Sequence, residues 1–425
     1  MTRLSRRSLI AGIGGAAATV ALGSCARSAP SDGSTVTVMN WEALDGSAYP
    51  DVFTAFEKAS EKRIRYQFAA SGNDYWVKTR TVLGASNPPD LIRIDDDFVA
   101  SYARTGRLHD LRDFIAASGL RASDYLPAVF DNTRQPDGSV AGWSLGIQPR
   151  VIFYNKTMFQ QVGVPLPPTT WTAEGWRWDD FLAAARALSI PGKRWGACIL
   201  DDSGFEMIYP VNNGGTGRWS ADGRRFTLAD PADAAGYQWV ADLTCAHRAQ
   251  PRWSELQNDG RGAELFAAGQ VGMIQRVSSF VNYFRENVHD FEWDIAPIPA
   301  QVAQRTYGNQ IVFAIPEAAA NKQGAWELLE FLTTMPGAGF FADDGAFVPG
   351  LRVAAERATA SGTELPRNLG LVLQAADNAV LPSRVVAAQQ ALEVYRPALD
   401  DVRNCQATAP DVLNSIRPEI EEISR

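Results

Sequence analysis

Residues 35–68 read TVTVMNWEALDGSAYPDVFTAFEKASEKRIRYQF, and the two periodicities in this stretch decide the fold. The first six residues are rich in β-branched side chains and predict a strand over 35–40. Residues 49–62 set Val52, Phe53, Phe56 and Ala59 on one helical face, and 64–69 return as a strand. Beyond them, 74–84 read as a helix, 89–94 (PDLIRI) as a strand and 98–105 as a helix. Three strand–helix alternations predict an α/β class with a doubly wound parallel sheet. Such sheets bind ligands beyond the carboxyl ends of their strands. Those ends fall at Trp41-Glu42, at Ser71-Gly72-Asn73-Asp74 and at Asp95-Asp96-Asp97.

The alternation restarts at 151–154 (VIFY), a strand that leads into a helix at Asn155-Lys156. Residues 178–188 (WDDFLAAARAL) form a strongly amphipathic helix, 196–200 a strand, and Asp230-Pro231 caps a helix running to about 246. Residues 263–269 read as helical, 271–274 and 292–297 as extended, and 385–395 and 411–423 as amphipathic helices. Two α/β lobes fit this order better than one large sheet.

Composition narrows the function. The chain has 425 residues, 46% hydrophobic and 21% charged, enough for two or three domains with a large core. Past the N-terminus no apolar run approaches the roughly 20 residues of a spanning helix, which excludes a membrane-embedded transporter. A net charge of −8 argues against a nucleic-acid partner, whose phosphates require a basic face. At the N-terminus, Arg3, Arg6 and Arg7 precede a stretch without charge from 8 to 26. Ser5-Arg6-Arg7-Ser8-Leu9-Ile10 resembles a twin-arginine export motif, and Leu22-Gly23-Ser24-Cys25 resembles a bacterial lipobox. The expectation is an export signal over 1–24, lipidation of Cys25, a flexible tether over 25–34, and a mature protein anchored at the outer face of the cytoplasmic membrane. Of the other cysteines, Cys198 with Cys245 is the expected disulfide, leaving Cys405 unpaired; the alternative is three buried small hydrophobes. Their spacing suits no metal.

Several segments resemble one family. They are Pro89-Asp90-Leu91-Ile92 with Thr105-Gly106-Arg107-Leu108 after the following helix; Phe153-Tyr154-Asn155-Lys156; Trp178-Asp179-Asp180-Phe181; Phe266-Ala267-Ala268-Gly269-Gln270-Val271-Gly272-Met273; and Ala296-Pro297-Ile298-Pro299. In this order they resemble the extracellular solute-binding proteins of ATP-driven (ABC) importers, in particular the carbohydrate-binding group that includes maltodextrin-binding protein. The resemblance implies a two-lobed periplasmic-binding-protein-like fold (type II). Lobe one would span 35–145 plus 313–343 and lobe two 150–306 plus 349–425, with crossovers near 146–149, 307–312 and 344–348. A carbohydrate would sit between the lobes, and permease subunits would receive it. A monomer without cofactor or metal is expected.

A sugar cleft needs planar hydrogen-bonding groups for hydroxyl edges and aromatic rings for C–H faces. The resemblance places candidates at Trp41 and Glu42, at Ser71 and Asn73, and at Asp96 and Asp97. Gln148 stands where the family has an acid at the crossover, and Arg150 is close by. In lobe two the candidates are Asp201 and Asp202; in the second crossover they are Tyr307, Gly308 and Asn309. Where the family often has Gly-Pro-Trp, this chain has Gln275-Arg276-Val277-Ser278-Ser279, so Arg276 and Ser278 join the set, and Trp219, Tyr307, Phe347 or Trp41 would supply the ring.

Competing readings stand beside these. Asp95–Asp97 would also suit a helix cap, Arg150 and Arg276 structural ion pairs, and the tryptophans of 171–178 core packing. Gly142-Trp143-Ser144-Leu145-Gly146 matches the nucleophile elbow G-x-S-x-G, which requires a helix after the serine, whereas a β-rich run follows here. Paired carboxylates would also serve a secreted glycosidase. Acidic candidates suit neutral hydroxyls or a cationic amino sugar. The alternative ligand is a glycerophosphodiester or other anionic polyol held by Arg150 and Arg276.

Overall fold

The computed structural model describes residues 33–424 apart from 71–72, 132, 173–175, 257–259, 361–363, 384 and 386. The export signal and Cys25 lie outside the described residues. Strand β1 (Thr35–Asn40) buries Val36, Val38 and Met39 and pairs in parallel with β2 (Arg63–Phe68) and β3 (Leu91–Ile94). Between β1 and β2, helix α1 (Tyr49–Ser60) buries Tyr49, Val52, Phe53 and Phe56; Ala59 is exposed because the buried face runs back towards Tyr49. Helix α2 (Asn73–Gly84) joins β2 to β3, and a short turn at Asp96–Phe98 leads from β3 into α3 (Val99–Arg104).

An antiparallel strand, Thr306–Ala314, sits beside this parallel set. The chain first runs through β4 (Trp143–Asn155), one continuous strand of 13 residues, rather than a strand restricted to 151–154. Gly146 and Pro149, the ends of the expected 146–149 crossover, both lie within the ladder. The first part of β4 pairs with β8 (Thr306–Ala314), with Gln148 opposite Asn309, and with β9 (Val348–Pro349). Its second part pairs with β6 (Val271–Val277) and β7 (Trp293–Ala296), and β6 in turn pairs with β5 (Trp195–Cys198). Strand β8 also pairs antiparallel with β3 and carries β10 (Ala379–Val380) at its start. The strand order β2-β1-β3-β8-β4-β6-β5 is therefore continuous through β4 and β8. Gly308 permits that close pairing, since a Cβ there would lie 2.4 Å from Ile147 Cδ1.

Helix Trp178–Leu188 covers the β5–β6 side, and its Trp178 stacks at 4.4 Å on Trp239 of helix Pro231–Cys245. Trp178 is therefore a packing residue. Asp230 stands at the N-cap position, but its carboxylate binds Arg225 and Arg417 instead of the helix end. The C-terminal helices Ala388–Ala398 and Ala409–Ile423 pack on each other, and the second lies on Pro231–Cys245. Helix Arg352–Ala358 packs instead on Met335–Asp344 through Ala338, Ala342 and Ala354. Ser144 is buried in β4 and donates its Oγ to Gly146 O at 2.7 Å, so the elbow motif is a chance match inside a strand.

The disulfide differs from the expected Cys198–Cys245 pairing. It joins Cys245 to Cys405, with Cα atoms 5.5 Å apart, and Cys198 is a buried free thiol. Cys198 ends β5 and points into the core, whereas Cys245 ends a helix that faces the C-terminal segment. Closing a loop across a separation of 160 residues stabilises mainly by restricting the unfolded chain. Replacing Cys245 with Ser should lower the unfolding free energy by about 2–5 kcal/mol in urea titration. Apart from Cys25, the wild-type protein should expose a single reactive thiol, and only after denaturation.

Candidate ligand-binding cleft

Side chains alternate along a strand, so Gln148 and Arg150 of β4 share a face with Tyr307, Asn309 and Ile311 of β8. These residues form the floor of a cleft. Each has a structural partner: Gln148 Nε2 donates to Ala346 O at 2.8 Å, and the Arg150 guanidinium lies 4.8 Å from the Tyr307 ring centre while donating to Asn309 Oδ1.

At one end of the floor lies a cavity of about 160 Å3. The turn after β3 contributes Asp95, Asp97 and Phe98, and α2 contributes Trp76. Facing them are Ser203, Arg218, and Leu392 and Arg396 of the helix Ala388–Ala398. Trp76 and Phe98 meet edge to face at 5.2 Å and make the apolar wall.

The three successive aspartates do three different jobs. Asp95 caps the turn by accepting from Asp97 N at 3.1 Å, as the capping alternative expected. Asp96 is buried and accepts from Gln310 N at 2.6 Å and Asn309 Nδ2 at 3.2 Å, which ties β3 to the floor. Asp97 crosses the cleft to Arg218, accepting at 2.8 and 3.3 Å in a two-pronged pair. Arg218 in turn reaches the hydroxyls of Tyr307 and Tyr395, each at 3.3 Å. Its position is set by Asp233, which accepts from Gly217 N at 2.7 Å and holds the preceding loop.

The remaining candidates separate into groups. Arg150 donates to Asp202 at 3.1 Å, and Arg276 pairs with Asp201, whose Oδ2 also accepts from Gly262 N at 2.9 Å. All four side chains are under a tenth exposed, so these are internal ion pairs that hold geometry. Trp219 is buried against Phe226 and lies in the core. Gly308 serves strand packing. Glu42, Gln148 and Phe347 line a second cavity of about 110 Å3 at the other end of the floor, whereas Ser278 lines a neighbouring one. Trp41 lies beside that end, its ring 4.1 Å from the Arg93 guanidinium. Ser71 lies outside the described residues, and Asn73 opens α2.

Sequence reasoning missed Trp76, Ser203, Arg218 and Arg396. Trp76 lies within a helix and Arg218 in a Gly-rich loop without periodicity; only the fold brings them to the cavity. A larger space of about 720 Å3 lies beside the disulfide, away from the floor strands, and its Arg403 is held by Glu206, Tyr237 and Asp400.

With the geometry in place, the chain can be compared with known proteins. Residues 40–339 match the model of the bacterial extracellular solute-binding protein family. The chain belongs to that family. This solute-binding protein is 27% identical over 293 residues to the diacetylchitobiose binding protein DasA of Streptomyces coelicolor, covering 63% of each chain. It is similar in fold to an ABC substrate-binding protein of Listeria monocytogenes solved with cycloalternan, at TM-score 0.81 and 20% identity over 91% of this chain and 98% of that one. It is also similar to UgpB of Mycobacterium tuberculosis solved with glycerophosphocholine, at TM-score 0.75 and 17% identity over 92% and 98%. The fold is the two-lobed α/β fold of such binding proteins. Among the described residues, no helix is long and apolar enough to cross a membrane.

Burial, and behind it the Asp95 and Asp97 carboxylates, hold the Asp96 carboxyl well above the ordinary carboxylate range. The native form then keeps a proton that the unfolded chain has lost. Its stabilising contribution is fully present below the ordinary carboxylate pKa and is lost as pH rises through the raised native value. The melting temperature of Asp96→Asn should accordingly fall less than that of the wild type between about pH 5 and about pH 8.

Proposed function

We propose that this solute-binding protein captures a carbohydrate between its lobes and delivers it to the permease subunits of an ABC importer. The observation that carries this reading is the cavity between the β3 turn and the Arg218 loop. An aromatic wall of Trp76 and Phe98 faces a rim of carboxylate, amide, hydroxyl and guanidinium groups from both sides of the cleft. Rings suit the C–H face of a sugar and the rim suits its hydroxyls. Diacetylchitobiose and cycloalternan, named for two of the similar proteins, are both carbohydrates.

The lobes meet at the crossovers near 146–149, 307–312 and 344–348, and ligand contacts from both sides select the closed state. Lobe one comprises 35–145 plus 313–343 and lobe two 150–306 together with the C-terminal helices; Arg352–Ala358, by its packing, stays with lobe one. The protein works as a monomer, exported and tethered through lipidated Cys25, which keeps it within reach of its permease. Binding is non-covalent. Asp95 is engaged in capping and Asp97 in the pair with Arg218, a poor arrangement for glycosidic cleavage.

The glycerophosphodiester reading relied on Arg150 and Arg276, and both are already neutralised by Asp202 and Asp201. Calorimetric titration with neutral disaccharides, an amino sugar and glycerophosphocholine tests the choice: sugars should bind and be recovered uncleaved, and a clear preference for the phosphate compound would overturn it. Trp76→Ala should weaken sugar binding by about tenfold without lowering the melting temperature appreciably.

A further inference from the structure

We propose that the second cavity of the cleft, about 110 Å3, is a subsite for the N-acyl group of an amino sugar, an inference that rests on the carbohydrate reading of the same cleft. The cavity has three kinds of wall, and only one common sugar substituent matches all three.

The first wall consists of unspent donors. Arg93 of β3 is 5% exposed, lies over the Trp41 ring, and makes no ion pair among the described residues; its Nε has no hydrogen-bond partner. Next to it stands Tyr49 from the start of α1, in turn beside Asn40 at the end of β1. The Tyr49 hydroxyl lies within hydrogen-bonding reach of the Asn40 and Arg93 side chains but makes no well-aligned bond with either. Buried donors without a well-aligned acceptor are costly, so the Arg93 and Tyr49 groups, which reach the cavity from two elements, call for an acceptor oxygen. The second wall accepts: the carboxylates of Glu42 and Asp344 border the same space. The third wall is apolar, formed by Phe341, Ala346 and Phe347.

An acetamido group carries a carbonyl acceptor, an N–H donor and a methyl in one plane. Its oxygen would take the Arg93–Tyr49 donors, its N–H a carboxylate, and its methyl the phenylalanine wall. Other substituents leave one wall mismatched. A sugar carboxylate would meet Arg93 but be repelled by Glu42 and Asp344; a free ammonium would suit the acids but oppose Arg93; a hydroxyl is too small to reach the donors and fill the apolar side.

Three probes share one carbon skeleton and differ only at the C2 substituent: diacetylchitobiose (acetamido), chitobiose (amine) and cellobiose (hydroxyl). Titrated calorimetrically, with their monosaccharides, into the intact protein, the acetylated sugar should bind at least about tenfold tighter than the other two. Tyr49→Phe removes one oxygen and little volume; it should weaken binding of the acetylated sugar by about fivefold or more and leave cellobiose unchanged. Equal affinities for all three, or an equal loss for all in Tyr49→Phe, would overturn the acyl subsite while leaving the carbohydrate reading intact. Binding of none of these sugars would overturn the acyl subsite, and the carbohydrate reading would then stand or fall on the wider titration of neutral disaccharides and glycerophosphocholine.

Discussion

The ladder between β4 and β8 is the constraint on which the molecule depends. Strand β4 continues from the β8 side of the sheet into the β6 side, and β8 joins it to β3, so the ladder that holds the structure together is also the floor of the cleft. A polar floor follows from that position. On the cleft side the Arg150, Tyr307 and Asn309 side chains engage one another, and Gln148 donates to the Ala346 carbonyl. Asp96 adds a tie between β3 and this floor, which is why a carboxyl can persist in a buried place that raises its pKa.

Charge in the cleft is organised by pairing rather than by sign. Burying a lone ion costs several kcal/mol, so Asp201, Asp202 and Asp97 each stand opposite an arginine. Two of these pairs brace the wall, and the third spans the cleft. Arg218, the cation of that third pair, reaches through Tyr395 to Glu206, which also holds Arg403. Arg403 lies two residues from Cys405, whose disulfide fastens the end of helix Pro231–Cys245; the same helix supplies Asp233 to the Arg218 loop. The disulfide thus supports the wall that carries Arg218, though it lies far from the cleft in sequence terms.

Much of the fold was legible because periodicity is local. Val36 and Val38 alternating, or Val52, Phe53 and Phe56 on one helical stripe, need no knowledge of distant residues. Boundaries failed where long-range pairing extended an element: the local pattern marked a strand only over 151–154, but pairing with β8 and β9 on one side and β6 on the other carries it from Trp143 to Asn155. The disulfide failed for the same reason, since partner choice depends on which helix end faces which segment.

For the proposed cleft, the sequence by itself determined where the candidate groups stand, at the carboxyl ends of β1 to β3 and in β4 and β8, because strand order and alternation put those residues there. Only the tertiary structure decided which of them remain available. Asp201 and Arg276 cancel each other across 75 residues, Asp95 is used by its own turn, and Trp76, Arg93 and Arg218 arrive from elements with no site signature of their own. Hydrogen-bond and charge satisfaction is settled between residues distant in the chain, and no local pattern encodes it.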